Sequence, residues 1–280
     1  MANFEFDQAE GLRRMLAGPK PQLVSVLSAA TVAEKNALLL NLCASLARAG
    51  SSVLLVDACG SKPGVSLAVS GPQAPTLLQA VRQQCAPAQA QRMLPQGFSF
   101  ACLARSGSPA SLPEAEKARL ATLFDAMAAK ADITVVDADW SGESGLLLPS
   151  MAAGDIVVQV ADNANSIKEA YSLVKRLSGH FGRRPVGVLV SGVNEARERV
   201  VFQNMAQASR RYLALELQSL GSVPQDDHLA RAHKLGRSVI DAFPLAGASV
   251  AFRKLASRFA RGAQAEPDHA ARLSGMPLGI

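Results

Sequence analysis

Lys35, Asp57 and Asp137 are the charged residues placed where phosphate and metal chemistry could occur. Lys35 belongs to Ser28-Ala29-Ala30-Thr31-Val32-Ala33-Glu34-Lys35-Asn36, which follows the apolar run Leu23-Val24-Ser25-Val26-Leu27 and opens a helical pattern of Leu38, Leu39, Leu42 and Leu46. Strand, loop and helix in that order form the setting of the phosphate-binding loop G-x-x-x-x-G-K-[ST]. Its glycines permit left-handed turns and close approach, so that backbone N–H groups wrap a phosphate. In this chain Ala29 and Glu34 stand at the glycines and Asn36 at the hydroxyl, leaving Lys35 alone unchanged. Thr31 and Val32 are β-branched, which makes the wrapped conformation costly.

Glu34 adds an anion near the place of the phosphate oxygens. At ~4 Å and an effective dielectric of ~20 that repulsion is about 4 kcal/mol, roughly three decades of affinity. Asn36 is a poorer Mg²⁺ ligand than Ser or Thr. Lys35, in a first helical turn, opposes the helix dipole and reads either as a remnant phosphate ligand or as a solvated lysine. Asp57 and Asp137 end two apolar runs, Val53-Leu54-Leu55-Val56-Asp57 and Ile133-Thr134-Val135-Val136-Asp137. Open α/β sheets place ligands at such strand ends. The pair could organise Mg²⁺ and water, or each aspartate could cap the turn after its strand.

These residues need a scaffold, and the chain reads as one. Its 280 residues, 49% apolar and 19% charged, suffice for one large core. Ten Phe, two Tyr and one Trp leave Leu, Val and Ala to fill it. Predicted strands lie at 22–28, 52–57, 98–103, 132–137, 155–161, 186–193 and 219–223. Helical patterns alternate with them at 34–49, 74–84, 113–130, 165–180, 196–213, 226–234 and 248–261. Near-continuous apolar strands indicate burial on both faces, hence an α/β fold with a mostly parallel sheet and helices above and below.

Before this domain (22–262) comes a short amphipathic helix, 1–16, with Phe6, Ala9, Leu12 and Leu16 at helical spacing, then a Pro/Gly hinge at 17–21. Residues 263–280 lack periodicity and are expected to form a flexible tail. No run approaches ~18 apolar residues, and the start lacks a signal-peptide pattern. Cys43, Cys59, Cys85 and Cys102 form no CxxC and read as reduced thiols of a cytoplasmic protein. The net charge of +6 is spread over scattered basic residues, so a nucleic-acid partner is not expected.

Over about residues 6–260 the chain resembles the MinD/ParA branch of P-loop ATPases, and within it the flagellar-number regulators of the FlhG (FleN) type. Asp7-Gln8-Ala9-Glu10-Gly11-Leu12-Arg13 matches the DQA-x-x-LR segment that precedes the ATPase core in that family. Val56-Asp57-Ala58, Asn165-Ser166-Ile167-Lys168-Glu169-Ala170-Tyr171 and Leu220-Gly221-Ser222-Val223-Pro224-Gln225-Asp226 match in order and spacing. The departures gather in the nucleotide site. Against a family loop resembling GKGGVGKT, Ala30 stands at the lysine that reaches across the ATP dimer. Cys59 stands at the aspartate that orients water, and Ser191 at the asparagine that reads adenine.

The resemblance implies that Asp7, Gln8, Ala9, Leu12 and Arg13 dock onto the flagellar-placement GTPase FlhF, with Gln8 helping to stimulate GTP hydrolysis in trans. It further implies a flagellar transcriptional activator and basal-body proteins as partners, with peripheral contact at the inner face of the cell membrane. The expected role is a protein-binding pseudo-ATPase without a cofactor. One alternative is a weak ATP/Mg²⁺ switch that uses Lys35, Asn36, Asp57, Asp137 and Ser191. Another is a ParA-like partitioning or cellulose-synthesis accessory. Phe252, Leu255 and Phe259 on the last helix are expected to pack in the core, although a basic amphipathic helix can also lie on a membrane.

Overall fold

In the computed structural model the described residues are 21–60, 63–69, 71–105, 112–140 and 145–262. The N-terminal helix with Asp7, Gln8, Ala9, Leu12 and Arg13, most of the hinge, and the tail lie outside them.

Apolar runs without polar alternation form the strands: β1 (Gln22–Ser28), β2 (Val53–Ala58), β4 (Ser99–Cys102), β5 (Ile133–Ala138), β6 (Asp155–Ala161) and β7 (Val186–Ser191). With β3 (Gln91–Met93) and β8 (Leu217–Val223) they make one eight-stranded sheet, ordered β3-β4-β2-β5-β1-β6-β7-β8. Every pairing is parallel except β3 with β4. All the parallel strands therefore end on one edge of the sheet, where loops carry side chains toward a ligand.

The connecting helices are α1 (Val32–Arg48), α2 (Leu77–Val81), α3 (Glu114–Ala128), α4 (Ala164–Phe181), α5 (Glu195–Leu213), α6 (Asp227–Lys234), α7 (Val239–Ala242) and α8 (Gly247–Gly262). Two apolar layers sandwich the sheet. One contains Leu120 and Phe124 of α3, Leu173 and Leu177 of α4, and Val201 and Met205 of α5. The other contains Leu38, Leu39, Leu42 and Leu46 of α1 with Phe252, Leu255 and Phe259 of α8. The apolar side of α8 is thus spent on the core, as its spacing predicts. Among the described residues no helix is long and apolar enough to cross a membrane.

Departures from the predicted elements have local causes. The pattern at 74–84 shrinks to α2 because Thr76 and Gln79 form a capping box after Pro75, and Gln83 closes the turn at φ 60°. β3 is three residues long with its first and last side chains exposed, so it carries no apolar signal. α7 is a single turn held by Asn41, whose Oδ1 accepts the Val239 N–H at 2.7 Å.

Candidate functional site

The loop between β1 and α1 forms a helix cap. Thr31 is the N-cap, with φ −64° and ψ 156°. Its Oγ accepts the Glu34 N–H at 3.3 Å, and Glu34 Oε2 accepts the Thr31 N–H at 2.9 Å. This reciprocal capping box satisfies donors that a helix start otherwise leaves open. Three further amides here are engaged: Ala29 N–H with the Gln159 carbonyl, Ala30 N–H with Ser28 Oγ, and Lys35 N–H with the Thr31 carbonyl. None of the left-handed non-glycine residues lies between 28 and 36. The Glu34 carboxylate therefore stands at the helix terminus where a phosphate would be received. In this arrangement the loop does not fit a phosphate chain.

Lys35 turns inward, and the solvated alternative is corrected: the residue is only 6% exposed. Its Nζ lies 2.9 Å from both carboxylate oxygens of Asp137, 3.0 Å from the Pro63 carbonyl and 3.4 Å from Cys59 Sγ. Asp137 is fully buried, and its Oδ2 also accepts the Val65 N–H at 2.7 Å. On the neighbouring strand, in register with Asp137, Asp57 accepts the Cys59 N–H at 3.1 Å on Oδ1 and the Ser66 N–H at 2.8 Å on Oδ2. Gly64 crosses directly over this carboxylate, since a Cβ there would lie 2.1 Å from Asp57 Oδ1.

The donor atoms of Asp57, Cys59 and Asp137 lie within 4.8 Å of one another, a spacing that could suit a cation. The Lys35 ammonium already stands against two of them. Burial also pushes the Cys59 thiol well up, reinforced by the Asp137 and Asp57 carboxylates against the pull of Lys35, so the residue offers a thiol and not a thiolate. The residues present therefore do not fit a bound Mg²⁺ alongside Lys35 as it stands.

Burial pushes the Asp137 carboxyl up to about 6, outweighing the attraction of Lys35. Burial by itself lowers the Lys35 ammonium, but Asp137 and Cys59 raise it further than burial lowers it. Asp137 thus has a folded value above its unfolded one, so ionising it works against folding. Its contribution is most favourable below about pH 4 and declines as the pH rises to about 6. Its side-chain carboxyl ¹³C shift is expected to titrate near pH 6. In Lys35→Met that midpoint moves upward, because the attraction that lowers it is gone.

The remaining predicted site residues lie apart. Asn36 and Ser191 line a separate cleft of about 1080 Å³ between the outer face of α1, Leu67–Val69, the ends of β7 and β8, and α6. Ser191 is tied inward: its Oγ accepts Gln159 Nε2 at 2.8 Å, while Gln159 Oε1 accepts Ser28 Oγ–H at 2.9 Å. This chain of bonds laces the ends of β1, β6 and β7 together. Gln159 is fully buried and was not among the predicted site residues. A single amide within Ile156-Val157-Val158-Gln159-Val160 was the available signal, because a buried polar side chain needs partners.

The comparisons agree with this architecture. A sequence model of the CobQ/CobB/MinD/ParA nucleotide binding domain matches residues 33–239. The antiactivator FleN of Pseudomonas aeruginosa is 26% identical over 239 residues, covering 85% of each chain. A chain of the MinC:MinD cell division protein complex from Aquifex aeolicus superposes with a TM-score of 0.64 at 17% identity, covering 88% of this chain and 97% of that one. A ParA family ATPase from Chlorobium tepidum gives 0.62 at 14% identity, covering 85% and 99%. The parallel sheet with helices on both faces is thus a shared fold, and the chain belongs to the CobQ/CobB/MinD/ParA nucleotide-binding-domain family.

Proposed function

We propose that the chain regulates flagellar number or placement as a protein-binding module that works without an ATP cycle, stimulating the GTPase FlhF through its N-terminal segment. One observation carries the nucleotide-independent part. The two groups that would meet a triphosphate are committed inside the protein, Glu34 to the cap of α1 and Lys35 to Asp137. The flagellar part is supported by the likeness to an antiactivator, FleN, and by the match of Asp7–Arg13 to the DQA-x-x-LR segment. The word antiactivator also makes a transcriptional activator a second candidate partner.

A weak MinD-like switch is the competing reading, and a specific observation favours it: Lys35, Asp57 and Asp137 gather at one strand edge within a nucleotide-binding family. Titrating the full chain with a fluorescent ATP analogue and Mg²⁺ separates the two. The proposed reading expects no saturation into the millimolar range. Saturable micromolar binding that disappears in Lys35→Ala would establish the switch instead.

A further inference from the structure

Four consecutive residues after β2 are pinned by the charged groups beneath them. The Pro63 carbonyl accepts Lys35 Nζ at 3.0 Å, and Gly64 lies against the Asp57 carboxylate. The Val65 N–H donates to Asp137 at 2.7 Å and the Ser66 N–H to Asp57 at 2.8 Å. Lys35 holds the arrangement together, because its ammonium joins Asp137, Cys59 and Pro63 at once. Without that cation, burial and the neighbouring Asp57 carboxylate would disfavour the ionised form of Asp137 further. Asp137 would then be a weaker acceptor for the Val65 amide.

In nucleotide switches the segments beside the phosphates are ordered by the γ-phosphate and its Mg²⁺, and they loosen when these leave. We propose that Lys35 is the resident cation of this site and holds Pro63–Ala68 permanently in one arrangement without any ligand. The segment ends in a turn of 3-10 helix, Val65–Ala68, that carries Leu67, which is 74% exposed and lines the rim of the large cleft. An apolar side chain is thereby presented on a fixed backbone whether or not nucleotide is present. The inference deepens the proposed nucleotide-independent reading and rests on it. Its test involves neither ATP nor the GTPase, so the two can fail separately.

Hydrogen–deuterium exchange of the full, nucleotide-free chain gives the test. In the wild type the amides of Val65 and Ser66 are expected to be protected. Lys35→Met should raise exchange across 64–68 by at least about tenfold, since Val65 loses its charge-assisted bond and Pro63 its ammonium donor. β1, β5 and β6, whose protection falls only with the global stability, should still exchange more slowly than 64–68. Gly64→Ala should do the same without removing a charge, because its Cβ cannot share space with the Asp57 carboxylate. If Lys35→Met fails to fold, Lys35→Gln, which keeps a donor without the charge, decides the matter. Unprotected Val65 and Ser66 amides in the wild type, or wild-type exchange across 64–68 in a folded Lys35→Met or Lys35→Gln, would overturn the proposal.

Discussion

Lys35→Met is expected to lower the stability of the fold by about 3–5 kcal/mol at pH 7, the usual consequence of leaving one member of a buried ion pair behind. Asp137 is fully buried and would retain only the Val65 N–H among the bonds described for it. Domains of this kind are typically stable by about 5–15 kcal/mol, so the loss would be conspicuous in a urea titration. The pH dependence identifies its origin. The Asp137 carboxyl, already pushed up to about 6, rises further without Lys35 and takes up a proton under mildly acidic conditions. A raised folded value means that the variant binds more protons folded than unfolded, so its stability recovers as the pH falls from 7 toward 5. Lys35→Met/Asp137→Asn removes both charges and is expected to lose less than Lys35→Met alone. If the double variant instead lost the sum of the two single losses, the pair would carry no coupling.

The fold was legible because strands buried on both faces show continuous apolar runs. Val53–Ala58, Ile133–Ala138 and Asp155–Ala161 are each such a run, and each falls within a residue of its predicted limits. β3 and α7 escaped notice because three and four residues are too few to show a period, and long-range contacts stabilise them. The candidate site was less legible, for two reasons. Thr31-Val32-Ala33-Glu34 is itself a capping-box signature, yet the same residues overlap the phosphate-loop pattern. Read as a failed loop, Glu34 looks only repulsive, whereas its carboxylate completes the helix cap. Lys35 depends on a partner 102 residues away, and no local pattern distinguishes a lysine directed at Asp137 from one directed at solvent.

The contrast between the two faces of α1 follows from those pairings. Lys35 on the inner side is fixed by charge, while Asn36 beside it opens on the cleft with its Oδ1 buried and lacking a hydrogen-bond partner. A helix that offered both residues to one nucleotide would need them to meet a common ligand. Here they face different spaces, the small cavity next to Trp140 and the large cleft beside Ser191. Reaching a triphosphate would require breaking the ion pair with Asp137 and the Glu34 cap together. That double requirement is the physical content of the nucleotide-independent reading.

Gln8→Ala is expected to return the GTPase rate of FlhF to its unstimulated value while leaving the affinity of the two proteins nearly unchanged. A glutamine that orients the attacking water acts in the transition state, so its loss appears in the turnover rate. Groups of this kind commonly change phosphoryl-transfer rates by large factors, and a fall of about tenfold or more is expected. Binding has a different source on the same segment. Phe6, Ala9 and Leu12 recur at helical spacing and in the proposed complex would supply the apolar contact area, so Leu12→Asp should abolish association at equal GTPase concentration. The two variants therefore separate along the two axes of a saturation curve: Gln8→Ala lowers the plateau, and Leu12→Asp moves the midpoint beyond reach. Lys35→Ala, if it folds, should leave the plateau within about twofold of wild type, because the proposed activity resides in the N-terminal segment and needs no nucleotide. A Gln8→Ala chain that stimulated as well as the wild type would remove the central residue from the mechanism and with it the reason to assign this GTPase as the partner.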